Sequence, residues 1–359
     1  MTDLTTTVRA SRREFMATTG AVVAAGALAF GDWMPARAQA APLPRRRLGR
    51  TGLRVTALSF GAIQLADASH RRVLDYAVDE GINYIHTCPG YTGGRSIQIV
   101  GEVMRTKRDQ VYLAVKASPG EVDDCLRILN TDHIDVLIPD TNDNSDEERE
   151  RYAALREAGK IRFSGFAAHG DMEGRIARTA EAGWRDVVLV RYNLVVADQL
   201  NPVLDAAVES QKMGFMAMKV AEGPGEFTDK LTRLIRGNAN MHTLTPGMNS
   251  QDQVRSNIAA IRAAFADGVP HQDLEEEAAE EIALACTDCS ACTRACPQAV
   301  ALDDYRRVDL YLRRGDQRLA EDLKRSIPAR HSLAACTNCG ACTAACARRI
   351  DVLSTARAV

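Results

Sequence analysis

The chain has 359 residues, of which 45 are lysine or arginine and 47 aspartate or glutamate, for a formal net charge of −2. With no long basic run in its body, it is not built to bind nucleic acid. A content of 46% hydrophobic and 26% charged residues excludes a disordered or fibrous chain, but ten cysteines set it apart from ordinary globular proteins.

The first segment reads as an address rather than as part of the fold. Arg12-Arg13 is followed by Glu14-Phe15-Met16, then by an apolar stretch of small residues from Ala17 to Phe30. Ala36-Arg37-Ala38 and Ala38-Gln39-Ala40 offer small-x-small cleavage sites. This pattern predicts a twin-arginine export signal over residues 1–38, too short and too weakly apolar for a membrane span. The expected location is periplasmic. About 320 residues remain, enough for one large domain and one small one. No later stretch is long enough to cross a bilayer.

From Val55 onward, short β-branched runs alternate with amphipathic stretches. Strands are expected at Val55–Phe60, Ile82–His86, Gln110–Lys116, Ile134–Pro139, Ile161–Ala167, Asp186–Tyr192, Gly214–Lys219 and Met241–Thr245. Between them lie patterns such as Val73, Leu74, Ala77 and Val78, while Gly81, Gly159, Gly183 and Gly214 mark helix ends. Eight such units predict an α/β fold, a (β/α)8 TIM barrel over residues 45–268. The competing doubly wound sheet wants a glycine-rich phosphate turn after its first strand, and Ser59-Phe60-Gly61-Ala62 has one glycine. Barrel chemistry sits at the C-terminal strand ends. Those ends carry His86, Lys116, Asp140, His169, Arg191 or Asn193, and Lys219, with Tyr91 just beyond the second strand.

The acidic run Glu275-Glu276-Glu277 falls at the expected domain boundary and reads as a solvated helix start. Beyond it, Cys286, Cys289, Cys292 and Cys296, followed by Pro297, form C-x2-C-x2-C-x3-C-P. Cys336, Cys339, Cys342 and Cys346 repeat the spacing, with Ala347 in place of the proline. This is the run of bacterial two-cluster ferredoxins, in which the fourth cysteine serves the other cluster. The expected sets are therefore Cys286, Cys289, Cys292 with Cys346, and Cys336, Cys339, Cys342 with Cys296, around two 4Fe-4S clusters. A structural zinc site has no use for a third cysteine per run, and a disulfide framework does not need such strict repetition. Helical character over Tyr305–Leu312 and Gln317–Arg325 predicts a small α-helical ferredoxin-like domain over residues 278–353. Cys88 and Cys125 are left over and read as buried small residues.

The barrel segment resembles the aldo/keto reductases. Arg47-Leu48-Gly49-Arg50-Thr51-Gly52-Leu53-Arg54-Val55, Gly81-Ile82-Asn83-Tyr84, Gly159-Lys160-Ile161-Arg162, Arg191-Tyr192-Asn193-Leu194 and Thr245-Pro246-Gly247 carry the likeness. Gln253-Val254-Arg255-Ser256-Asn257 looks like the family's closing cofactor segment. The likeness extends to the cysteine domain, since a subgroup of the family carries one. It implies a tetrad of Asp, Tyr, Lys and His, of which Tyr91 and Lys116 are retained while His86 stands for the aspartate and Asp140 for the histidine. Tyr91 would protonate a carbonyl oxygen, its pKa lowered by Lys116. The nicotinamide contacts implied by the family are replaced by Ala167-Ala168, Leu189 and Met218, and Asn257 alone survives near the adenine site.

Three readings follow. The first is an exported oxidoreductase acting on a small molecule, its clusters exchanging electrons with a redox partner protein or a membrane-bound donor. The second is an electron-transfer protein with a non-catalytic barrel. The third is an NADP(H)-dependent carbonyl reductase with structural clusters. The ionisable rim favours the first over the second, and the lost nicotinamide contacts count against the third.

Overall fold

A computed structural model describes residues 41–140, 143–266, 282, 285–313 and 315–359. The expected export signal and the acidic run at 275–277 lie outside the described residues. Two short strands come first, β1 (Arg45–Arg47) and β2 (Arg54–Thr56), paired antiparallel as a hairpin. The expected strand Val55–Phe60 is thus divided: its start belongs to this hairpin and its end to the barrel.

The barrel strands are β3 (Phe60–Gly61), β4 (Tyr84–Thr87), β5 (Tyr112–Val115), β6 (Ile134–Leu137), β7 (Ile161–Ala168), β8 (Val187–Arg191), β9 (Gly214–Met218) and β10 (Thr243–Leu244). Each pairs parallel with its neighbour, in sequence order. Parallel bridges Leu58–Leu244 and Gly61–Gly247 join the first strand to the last and close the ring. Eight strands in order, each followed by a helix, make the (β/α)8 barrel that the alternating sequence predicts. The helices are α1 (Arg71–Asp79), α2 (Arg95–Lys107), α3 (Val122–Leu129), α4 (Asp146–Glu157), α5 (Met172–Ala182), α6 (Ala197–Gln211), α7 (Phe227–Gly237) and α8 (Gln251–Ala264).

Side chains alternate across each strand, so one parity fills the barrel and the other meets the helices. Tyr84, Ala114, Val136, Ile138, Ala167, Leu189 and Met216 pack inside, where Leu48, Leu53 and Val55 of the hairpin join them. Ile85, Leu113, Leu137, Phe166, Val188, Val190 and Phe215 point outward into the layer under the helices. The hairpin is therefore a stopper for one mouth, which leaves the other mouth for chemistry.

The C-terminal segment builds a third, separate core from Val300, Leu302, Tyr305, Ile327, Val352 and Ala356, with several cysteines packed on it. Its helices are α9 (Ala291–Arg294), α10 (Leu302–Arg313), α11 (Gln317–Ser326), α12 (Ala341–Ala344) and α13 (Val352–Arg357). The two insert helices α10 and α11 match the helical stretches expected between the cysteine runs. α9 packs on α12 and α10 on α13, pairing the halves of a repeat.

Candidate active site and cysteine loops

Inward parity carries straight to the open mouth. Tyr84, Ala114, Ile138 and Ala167 are interior residues, and two residues further on stand His86, Lys116, Asp140 and His169. All four line one cleft of about 1160 Å³, together with Cys88 and Tyr91. Lys219 has the wrong parity, since Met218 before it faces inward, but its left-handed backbone (φ 60°) turns it into the same cleft. Arg191 and Asn193 do not line the cleft; both are buried on Glu222 beside it.

Tyr91 sits in a tight turn closed by its own N–H donating to the Cys88 carbonyl at 3.1 Å. The His86 ring meets it edge-on, with centroids 5.8 Å apart. Lys116 Nζ stands 5.7 Å from the centre of the Tyr91 ring and forms its ion pair with Asp140 Oδ1 at 3.0 Å. The lysine is thus anchored by the carboxylate that replaces the family's histidine. Burial pushes the Tyr91 phenol up, and Lys116 offsets only part of that. The lowered tyrosine pKa expected from the sequence is corrected here: desolvation outweighs the single cation. Burial pulls against the Lys116 ammonium, but Tyr91 and Asp140 overcome it and hold the charge on.

The two histidines are neutral. His86 is 4% exposed, and burial, then Lys116, lowers it to about 3. His169, with Nε2 3.8 Å from Asp140, is likewise pushed well below its ordinary value by burial and then by Arg307. Three buried polar atoms at this cleft have no hydrogen-bond partner among the described residues: His86 Nε2, His169 Nδ1 and Gln64 Oε1. Unsatisfied buried groups are costly, so together with the Tyr91 hydroxyl they point to a polar ligand. A protonated phenol, a compensated ammonium and neutral imidazoles suit hydrogen bonding to, and proton delivery onto, a carbonyl oxygen.

The opposite wall comes from the C-terminal helices. Tyr311 of α10 is hydrogen bonded to Lys219, whose ammonium also lies 4.1 Å from the Tyr311 ring centre. Arg307 of α10 and Leu319 of α11 line the cleft as well.

The cysteine loops repeat with an offset of fifty residues. Asp288, Ser290 and Ala299 have left-handed backbones, and so do Asn338, Gly340 and Arg349 at the equivalent places. Ala299 N–H donates to the Cys296 carbonyl and Arg349 N–H to the Cys346 carbonyl, both at 3.0 Å. Cys296 lines one small pocket with Cys336, Cys339 and Cys342. Backbone N–H groups of Asp288, Asn338 and Ile350 point at the sulfurs of Cys286, Cys336 and Cys346, 3.4 to 3.5 Å away. Four thiols on one pocket, with the Asn338 amide donating to Cys336, fit a 4Fe-4S cluster. The ten cysteines are unbridged; Cys125 is buried in the barrel layer as expected.

The first loop is pinned to the barrel. Arg191, at the end of β8, donates to Glu222 at 2.8 Å and to the Cys286 carbonyl at 3.1 Å, and stands 4.0 Å from Asp288. At Gly170, a Cβ atom would meet Ser290 Oγ at 2.2 Å, so backbone and loop are in direct contact there.

The model of the aldo/keto reductase family matches residues 57–245, just over half of the chain. The chain belongs to the aldo/keto reductase family. A 4Fe-4S dicluster domain matches residues 281–350. Among curated relatives, the oxidoreductase YqkF of Bacillus subtilis is 30% identical over 148 residues, 34% of this chain and 48% of that protein. The aldo-keto reductase YhdN of the same organism is 37% identical over 113 residues, 25% of this chain and 34% of its own length. The chain thus spans half or less of these two relatives. L-galactose dehydrogenase of Arabidopsis thaliana is 24% identical, over 64% of this chain and 92% of its own. Of solved structures, an aldo-keto reductase of Bacillus halodurans in its holo form has a TM-score of 0.54 at 22% identity, covering 67% of this chain and 95% of its own. One from Klebsiella pneumoniae in complex with NADPH scores 0.51 at 20% identity, covering 67% and 94%. At these identities the structures share the barrel.

Several parts of this aldo/keto reductase's site escape motif reading. Glu222 and Gln64 lie outside any motif, and Tyr311 acts from a helix between the cysteine runs. The fifty-residue offset was available as a signal: aligning the loops sets Asp288 against Asn338, a charge at one and not the other.

Proposed function

We propose that this protein is an exported iron–sulfur oxidoreductase that interconverts a small carbonyl compound and its alcohol at the barrel mouth. Clusters bound at the cysteine runs would supply electrons one at a time, and two of them would match the two electrons of a carbonyl reduction. The observation that carries the reading is the bond from Arg191 to the Cys286 carbonyl, beside the cleft that holds Tyr91 and Lys116. Ser290 and Arg294, which flank cysteines of that loop, line the same cleft.

The protein's own groups divide the remaining work. The Tyr91 hydroxyl holds its proton firmly and delivers it to the substrate oxygen, while water entering the cleft supplies the second proton, which goes to the carbonyl carbon. Lys116, fixed by Asp140, supplies a nearby cation that favours the developing negative charge. His86 and His169, both neutral, offer ring nitrogens to the rest of the substrate. Cys286, Cys289, Cys292 and Cys346 would hold one cluster, and Cys336, Cys339, Cys342 and Cys296 the other.

The nicotinamide cofactor implied by the family does not fit the residues present. Ala167, Ala168 and Leu189, at the positions of its amide contacts, are buried and offer no side-chain hydrogen bond. Asn257, at the adenine contact implied by the family, is 1% exposed, and its Nδ2 has no hydrogen-bond partner among the described residues. No hydride step is therefore assigned. Anaerobic titration of the cluster-loaded protein with NADPH, following binding and cluster bleaching together, tests this. Neither effect is expected. Binding without bleaching would instead make it a nicotinamide-dependent reductase with structural clusters.

A further inference from the structure

The two cysteine loops share a backbone but not an environment, and the difference gives the molecule a direction. Asp288 of the first loop is 7% exposed, under Arg191 of the barrel. In the second loop Thr337, Asn338, Cys339 and Gly340 are all exposed, and a Cβ on Gly340 would meet nothing within 4 Å. Between Cys286 and Ser290 Cys289 alone is exposed, and Ser290 lines the cleft; the second loop presents four successive exposed residues to solvent.

Charge follows the same division. Between Leu323 and the C-terminal Val359 lie Lys324, Arg325, Arg330, Arg348, Arg349 and Arg357, against the single acid Asp351, whose carboxylate caps α13 by accepting from Ser354 N–H. The chain as a whole has a net charge of −2. One exposed arginine is hydrogen bonded to the second loop itself, and another is tied through a histidine to the turn after Cys296, whose thiol shares the second loop's pocket. Arg357 is hydrogen bonded to Asn338, between Cys336 and Cys339. Arg330 holds His331 at 3.0 Å, and the His331 ring binds the carbonyl of Ala299, in the turn after Cys296, at 2.8 Å. Long-range fields of this kind raise encounter rates with partners of opposite charge and fade with salt.

We infer that the solvent-facing second cysteine loop, flanked by Arg330 and Arg357, is the docking face for an acidic one-electron carrier protein. This rests on the relay reading of the clusters. Each docking exchanges one electron, the carrier losing or gaining one as the cluster held by Cys296, Cys336, Cys339 and Cys342 does the reverse. The first loop then communicates with the cleft, which its Ser290 and Arg294 line.

The test uses the full cluster-loaded protein, reduced anaerobically with dithionite and reoxidised in a stopped-flow mixer. Ferricyanide, an anionic one-electron oxidant, is compared with the cationic hexaamminecobalt(III). The rate with ferricyanide should fall as salt rises, and the rate with hexaamminecobalt(III) should rise. In an Arg330→Glu/Arg357→Glu variant, checked for both clusters by electron paramagnetic resonance, the ferricyanide rate should drop at least tenfold at low salt. On a heparin column the same variant should elute at lower salt than the parent. The same sign of salt dependence for both oxidants, or an unchanged rate and elution in the variant, overturns the docking face. Failure of the relay reading looks different: the salt signs hold, but no carbonyl compound reoxidises the clusters through the cleft.

Discussion

Tyr91 is the residue on which the proposed chemistry turns, because it is the hydroxyl at the cleft floor whose proton burial retains. Removing it should leave the fold and clusters in place while withdrawing a general acid, an effect of about 10²- to 10⁴-fold. Tyr91→Phe is therefore expected to lose carbonyl-dependent turnover by at least about a hundredfold, with unchanged cluster spectra. Equal turnover would remove Tyr91 from the mechanism. The histidines make a second prediction. His86 is lowered to about 3 and His242 to about 4, each first by burial, while an unfolded histidine titrates near 6.5. Below that value the unfolded chain binds protons that the folded chain refuses, so stability falls as pH drops from about 6.5 towards 4. Each histidine contributes a slope of at most about 1.4 kcal/mol per pH unit. Chemical unfolding at pH 7 and pH 5, followed by tryptophan fluorescence, should show this loss. His86→Asn should show a shallower slope, and an identical one would mean that His86 is protonated in the fold.

At the scale of elements, the close approach of α2 to α3 depends on Gly101, where a Cβ would stand 2.1 Å from the Ile128 carbonyl oxygen. Alanine gains about 1 kcal/mol in helix propensity, but the clash lies against backbone, and overpacking costs about 1–3 kcal/mol. Gly101→Ala should be a net destabilisation, measurable as a lower denaturant midpoint; a higher midpoint would mean the helices part freely. Seven of the eight barrel strands were legible in the sequence because a buried parallel strand shows as a short apolar run between turn residues, and period-two parity carries its rim residues to the mouth. The division of Val55–Phe60 was not, since both halves are equally apolar and only tertiary pairing separates hairpin from barrel. Lys219 was found by its place at a strand end, although its entry into the cleft depends on a left-handed backbone that a lysine does not advertise. The pairing of Lys116 with Asp140, rather than with the phenol, required three dimensions: sequence names the residues but not which neighbour wins the cation.

For the whole molecule, the cysteine domain serves as the second wall of the barrel's cleft, so the two domains make one site. Tyr311 on Lys219, Ser290 on Gly170 and Cys286 on Arg191 are three independent contacts between them. The cysteine spacing disclosed the clusters, but no spacing shows which loop turns inward. The most direct measurement is anaerobic reoxidation of the reduced, cluster-loaded protein by a panel of small aldehydes and ketones, in parent and Tyr91→Phe forms. At least one carbonyl compound should reoxidise the clusters, with two electrons and two protons consumed per alcohol formed, and the variant should be at least about a hundredfold slower. Clusters that no carbonyl reoxidises, or that reoxidise equally fast without the Tyr91 hydroxyl, would contradict the proposed chemistry.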